Sequence, residues 1–158
     1  MEDRWKKLAE FLQKEPLVLN TRTSASELKN LYDQGLAVKK EHRGEIIAFK
    51  ALWPDGNGCL ELGSAWVKPE WRGRKISSRL MEEISQCGPG DKILFSITHN
   101  PKIVHLLRKN NWKEVLAEEW EEVIPFSSSC GPCDRLPEDQ KKLCPYKVDP
   151  EECLMFYL

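Results

Sequence analysis

The run Val67-Lys68-Pro69-Glu70-Trp71-Arg72-Gly73-Arg74-Lys75-Ile76-Ser77 constrains the fold more tightly than any other stretch. It joins an apolar strand, Cys59 to Val67, to a helix expected to open near Gly73 and run to Gln86. Ile76, Leu80 and Ile84 lie at helical spacing along that helix. A strand-to-helix turn aims backbone N–H groups and the positive end of a helix dipole at one spot. Arg72 and Arg74 add guanidinium charge there, so the spot suits a diphosphate.

Bulk properties make any such anion site local. The formal net charge is -1, from 24 basic and 25 acidic side chains. No global field therefore draws nucleic acid to the chain. No apolar run is long enough to span a bilayer, and Met1 to Lys14 is charged throughout, unlike a signal peptide. A cytoplasmic protein is expected, with neither nucleic acid nor membrane as partner and a monomer or homodimer as assembly state. The 158 residues are expected to form one domain, 1–158.

Trp5, Leu8, Phe11 and Leu12 share one face of a helix over about residues 3 to 14, which Pro16 ends. Leu17 to Leu19 reads as a short strand. Ser24 or Ser26 caps a second helix that carries Leu28 and Leu31 inward, with Gly35 past its end. Strands are expected at Leu36 to Lys40, Glu45 to Trp53 and Cys59 to Val67. His42-Arg43-Gly44 and Pro54-Asp55-Gly56-Asn57-Gly58 are the intervening turns. Beyond the central helix, Lys92 to Thr98 reads as a strand and Pro101 opens a helix closed by Asn110-Asn111. Trp112 to Ile124 and Leu154 to Leu158 read as further strands. The order predicts a mixed α/β fold of the α+β type, with a mostly antiparallel central sheet and flanking helices.

Glu61 to Trp112 resembles the GNAT superfamily of N-acetyltransferases. The family's phosphate loop reads Arg or Gln, two residues, Gly, one residue, then Gly or Ala, and Arg72 to Ser77 occupies that frame. The lead-in from Val67 to Gly73 also matches. A second signature follows in Asn100, Leu106, Lys109, Asn111 and Trp112. Lys75 stands in the family's glycine place, Ser77 in its Gly or Ala place, and Leu107 where many relatives carry a tyrosine acid.

The resemblance implies acetyl transfer from acetyl-CoA to a primary amine by direct attack in a ternary complex. It implies cofactor contacts from Arg72, Gly73, Arg74, Lys75, Ile76 and Ser77 at the diphosphate, from the backbone of Trp66, Val67 and Lys68 at the pantetheine, and from Asn100. Glu61 matches the place of a general-base glutamate. A base is needed because an ammonium has a pKa of ~10 and cannot attack while protonated. Glu61 otherwise reads as a solvent-facing strand residue, and alternation puts it on the same face as Gly63. Gly63 in mid-strand signals a bulge or a close approach. His99, His105, Tyr146 and Tyr157 are further candidate acids or bases. Trp53, Trp66 and Trp120 are candidates for an acceptor pocket, while Trp5 and Trp112 read as core.

Four of the six cysteines fall late, as Cys130-x2-Cys133-x10-Cys144-x8-Cys153. Four thiolates can close a tetrahedral structural zinc site and stabilise an insertion at about 127–153. Cys130-Gly131-Pro132-Cys133 also spells a thioredoxin-type tetrapeptide, and free thiols are the third possibility. Two other functions stay open: a non-catalytic acyl-CoA-binding or interaction module, and a metal- or redox-sensing protein acting through the cysteines.

Overall fold

The structure, a computed structural model, describes residues 3–15, 18, 22–56, 58–116, 119 and 154–158. Four helices are described: α1 (Asp3–Gln13), α2 (Ala25–Asp33), α3 (Ile76–Ile84) and α4 (Pro101–Lys109). Six strands accompany them: β1 (Ala37–His42), β2 (Glu45–Pro54), β3 (Leu60–Val67), β4 (Leu94–Thr98), β5 (Lys113–Val115) and β6 (Leu154–Tyr157). The strands hydrogen-bond in the order β1-β2-β3-β4-β6-β5. β3 and β4 are parallel, whereas β1–β2, β4–β6 and β5–β6 are antiparallel. The mixed, mostly antiparallel sheet with flanking helices is as expected.

The chain divides into two compact units. One holds residues 1–53 and 62–89, and the other holds 54–61 and 90–158. In the first, Trp5, Leu8 and Leu12 of α1 and Leu28 and Leu31 of α2 bury against Phe49 and Ala51 of β2 and Trp66 of β3. Trp5 meets Phe49 edge-on at 6.0 Å between centroids, and Phe11 stacks on Trp66 at 5.2 Å. The β1–β2 turn is a two-residue loop. Arg43 (φ 48°) and Gly44 (φ 79°) are both left-handed, the geometry that matches the twist of a tight hairpin.

In the second unit, β3 contributes Leu60 and Glu61, which pair with Leu94 and Phe95. Cys59, Phe95, Val115 and Met155 form a small core there. Asp55 shapes the loop before β3: its N–H donates to the Cys59 carbonyl at 3.2 Å, and its carboxylate accepts the Cys59 N–H at 3.0 Å. Asn100 caps α4 by accepting the Lys102 N–H at 3.0 Å.

Three expectations are corrected. The central helix opens at Ile76, not Gly73, and ends at Ile84 rather than Gln86, because Gly73 (φ 78°) and Lys75 (φ 59°) are left-handed and cannot continue a right-handed helix. Of the strand expected from Trp112 to Ile124, Lys113–Val115 is strand and Leu116 lies outside it, its carbonyl accepting the Glu119 N–H at 2.9 Å, while residues 117, 118 and 120–124 lie outside the described residues. β4 begins at Leu94, two residues later than expected. Of the proposed Leu17 to Leu19 strand only Val18 is described, and it is buried.

Lys50 departs most sharply from the hydrophobic pattern. It lies on β2 between Phe49 and Ala51, so it points to the opposite face from them. It is 1 % exposed and its Nζ has no hydrogen-bond partner among the described residues. Burial pulls its pKa down to about 8. The unfolded chain keeps a proton at Lys50 that the folded chain sheds above about pH 8, so stability rises from there towards pH 10.5 and the full penalty applies below pH 8. That penalty is on the order of 3 kcal/mol. Lys50→Met is therefore expected to raise stability at pH 7 by roughly 2–3 kcal/mol and to flatten the rise above pH 8. Urea unfolding across pH 6 to 11 measures both; an unchanged or lower midpoint for the variant shows that Lys50 is charged and paired.

Candidate active site

The backbone of β3 is distorted before it reaches the turn. Ser64, in mid-strand, has φ 51°, a left-handed conformation for a side-chain-bearing residue. Its hydroxyl donates to the Arg22 carbonyl at 3.1 Å. The neighbouring Gly63 is a close approach. A Cβ built there would lie 2.7 Å from Arg22 Nη1 and 3.1 Å from Trp53 Cδ1, so any larger residue would displace them. The guanidinium of Arg22 sits 5.6 Å from the centre of the Trp53 ring. The bulge signal at Gly63 thus resolves into two effects on adjacent residues, contact at Gly63 and backbone distortion at Ser64.

After Val67 the chain turns through a 3-10 turn, Pro69–Trp71. The Lys68 N–H donates to the Ile47 carbonyl at 2.8 Å, and the Lys68 carbonyl accepts the Trp71 N–H at 2.9 Å. Next come Gly73 and Lys75 in left-handed conformations, and then α3. The first backbone bond that returns to this turn is from the Arg79 N–H to the Lys75 carbonyl, at 3.1 Å. The amides from Gly73 to Ser77 therefore precede the helical ladder, as the first donors of any helix do. A Cβ built on Gly73 would meet nothing within 4 Å. Gly73 thus faces open space beside Arg74 and Lys75.

Ion pairs hold this turn to the rest of its unit. Lys68 Nζ lies 2.7 Å from Glu45 and 3.0 Å from Glu70. Those hydrogen bonds, Glu45 first, raise the Lys68 pKa, while Glu70 is lowered by its own backbone hydrogen bond and then by Lys68. Arg72 does not point into the turn. Its Nε donates to the Val67 carbonyl at 2.9 Å and its Nη2 to Glu15 at 2.8 Å. Glu15 also accepts from Trp66 Nε1 at 3.3 Å. Arg74 lies over the Trp71 ring at 4.7 Å, and His42 packs on the same ring at 4.6 Å.

The structure brings Trp66, Val67, Lys68, Arg72, Gly73, Arg74, Lys75, Ile76 and Ser77 into one continuous strand-and-turn. The Trp66 side chain belongs to the core, at 5 % exposure, stacked on Phe11 and tied to Glu15. In the second unit, Glu61 is 4 % exposed, so it is no solvent-facing residue. Asn100 acts there as the cap of α4. Leu107 is fully buried core, His105 is exposed, and Tyr157 lies on β6. Cys130, Cys133, Cys144, Cys153, Tyr146 and Trp120 lie outside the described residues, and among those described no cluster of His, Cys, Asp and Glu could hold a metal. Glu15 and Arg22 escaped sequence reading, because their partners Trp66, Arg72 and Ser64 lie 42 to 57 positions away.

The family profile described as the acetyltransferase (GNAT) family matches residues 5–111. No curated protein matches the chain in sequence. Several solved structures share its fold. Diaminobutyrate acetyltransferase EctA from Paenibacillus lautus, in complex with L-2,4-diaminobutyric acid and coenzyme A, is 12% identical with a TM-score of 0.63, over 99% of this chain and 89% of its own. The ribosomal-protein-alanine N-acetyltransferase of Brucella melitensis is 17% identical with a TM-score of 0.55, over 73% and 83%. The yncA protein of Salmonella typhimurium, solved with its cofactor acetyl-CoA, is 17% identical with a TM-score of 0.52, over 73% and 78%. The family profile spans the strand-and-turn and the α4 signature as far as Asn111, and the chain belongs to the GNAT family of acetyltransferases.

Proposed function

We propose that the protein transfers the acetyl group of acetyl-CoA to a primary amine by direct attack in a ternary complex, as one domain. The observation that carries this reading is the turn from Gly73 to Ser77, whose amides stand ahead of the α3 ladder, with nothing near the place a Cβ on Gly73 would take. Similar folds are known with coenzyme A or acetyl-CoA bound, in the Paenibacillus lautus and Salmonella typhimurium proteins.

The diphosphate is held by the turn amides, the dipole of α3 and the cations of Arg74 and Lys75. Arg72, bonded to Glu15 and Val67, fixes the turn instead of reaching into it. The left-handed Lys75 takes the place of a glycine and adds a charge that glycine lacks. Backbone groups of Trp66 and Val67 face the pantetheine. Lys68 braces the turn, since its N–H is given to Ile47 and its carbonyl accepts from Trp71.

Glu61 takes a proton from the ammonium through a water. The amine lone pair then attacks the thioester carbonyl carbon, and a tetrahedral oxyanion forms. It collapses as the carbon–sulfur bond breaks, and the attacking nitrogen gives up its second proton, through water, to the departing thiolate, leaving the neutral amide and the thiol of coenzyme A. A thiol of this kind has a pKa of ~8.5, so its thiolate can leave near neutral pH without a dedicated acid. Leucine at position 107 is compatible with that chemistry.

Two outcomes are expected. Lys75→Ala removes one charge-assisted contact, worth roughly 1.5–3 kcal/mol, and weakens acetyl-CoA binding about 10-fold or more by calorimetry. Absence of any acetyl-CoA binding by the unmodified protein would remove the transferase reading altogether. Glu61→Gln leaves that binding intact but lowers kcat at pH 7 by about 100-fold. Part of the loss returns at high pH, where the free amine needs no base; a variant with unchanged turnover excludes Glu61 as the base.

A further inference from the structure

We infer that His42 is a positioning residue for the cofactor, which acts through the Trp71 ring to hold Arg74 beside the diphosphate turn. This rests on the transferase reading above. Backbone bonds bracket Gly73 to Lys75 without holding their side chains. On one side the Arg72 N–H donates to the Pro69 carbonyl at 3.2 Å, and on the other the Arg79 N–H donates to the Lys75 carbonyl. Gly73 stands between two arginines, and each is held differently. Arg72 is hydrogen-bonded to Glu15 and to the Val67 carbonyl. Arg74 lies over the Trp71 ring, its guanidinium carbon 4.7 Å from the ring centre.

That second arrangement suits an anion-binding arginine. Attraction to an aromatic ring is electrostatic and takes up none of the guanidinium N–H groups. Five donors therefore remain for phosphate oxygens, which accept strong charge-assisted bonds from them. Where those donors can reach is set by where the ring stands.

The ring is supported by the β1–β2 hairpin. His42 packs on it at 4.6 Å between centroids, with the planes tilted by 50°. His42 ends β1 and pairs in register with Glu45, the first residue of β2. Residues directly opposite each other on two strands project to the same side of the sheet. Both reach the same turn, since Glu45 bonds Lys68 Nζ at 2.7 Å. The closing pair of the hairpin thus grips the turn at two points, Lys68 and Trp71. Lys68 is fixed a second time by its N–H bond to Ile47, whereas His42 holds a side chain. Loss of the imidazole leaves the backbone of the turn tied to the sheet and frees the ring, and Arg74 moves with it.

Calorimetric titration of acetyl-CoA tests this on the unmodified protein, His42→Ala, His42→Phe, Arg74→Ala and the His42→Ala/Arg74→Ala double variant. His42 and Arg74 are exposed, so the melting temperatures should change little. His42→Ala should weaken binding by about 3- to 10-fold. It should raise KM for acetyl-CoA and leave kcat at saturation and KM for the amine as they were. His42→Phe keeps a ring against Trp71 and should restore binding to within about twofold of the unmodified protein. With Arg74 already replaced, His42→Ala should cost nothing further. Unchanged binding by His42→Ala overturns the inference, as does a loss in His42→Phe equal to that in His42→Ala. A loss that persists in full without Arg74 also overturns it, because His42 then supports the hairpin and not the arginine. In each of these cases the unmodified protein still binds acetyl-CoA and only the positioning role falls. If it does not bind, the transferase reading fails as well.

Discussion

Two left-handed residues determine where α3 can begin. Right-handed helix formation is impossible through Gly73 and Lys75 as they stand, so the chain spends its first residues after Trp71 in a turn. Its amides consequently precede the first bond of the α3 ladder, from the Arg79 N–H to the Lys75 carbonyl. At Gly73 this conformation is free of strain. At Lys75 it costs about 1–2 kcal/mol, which the surrounding contacts must offset.

Those contacts come from distant residues. Lys68 is drawn to Glu45 at the start of β2 and to Glu70 within the turn. Arg72 reaches Glu15, just past α1, and Glu15 also holds the Trp66 indole in the core. Exposed pairs of this kind contribute little singly. Here they share partners, so the end of α1, the strand β3 and the turn are positioned together. Preorganised donors are what an anion site requires, because no reorganisation is then needed when the ligand arrives.

Much of this was legible in the residues. Strand β3, the turn after it and the α4 cap at Asn100 carried local signals: alternation, an Arg-Gly pair, an Asn-Pro step. The hairpin turns were legible for the same reason. The exact start of α3 was not, since nothing in Lys75 announces positive φ. The burial of Lys50 was equally hidden; lysine on a strand ordinarily reads as solvent-facing. Glu15 and Arg22 were missed because their roles exist only once residues tens of positions apart meet. Glu61 shows the middle case. Its place on the strand was readable, its burial was not.

The order β4-β6-β5 carries a consequence for biogenesis. β5 hydrogen-bonds to β6, and β6 follows it by almost forty residues in the chain. During translation β4, α4 and β5 emerge before the strand that must lie between β4 and β5. Ribosome-bound intermediates thus carry two open strand edges, which chaperones or stray strands can engage until β6 closes the gap.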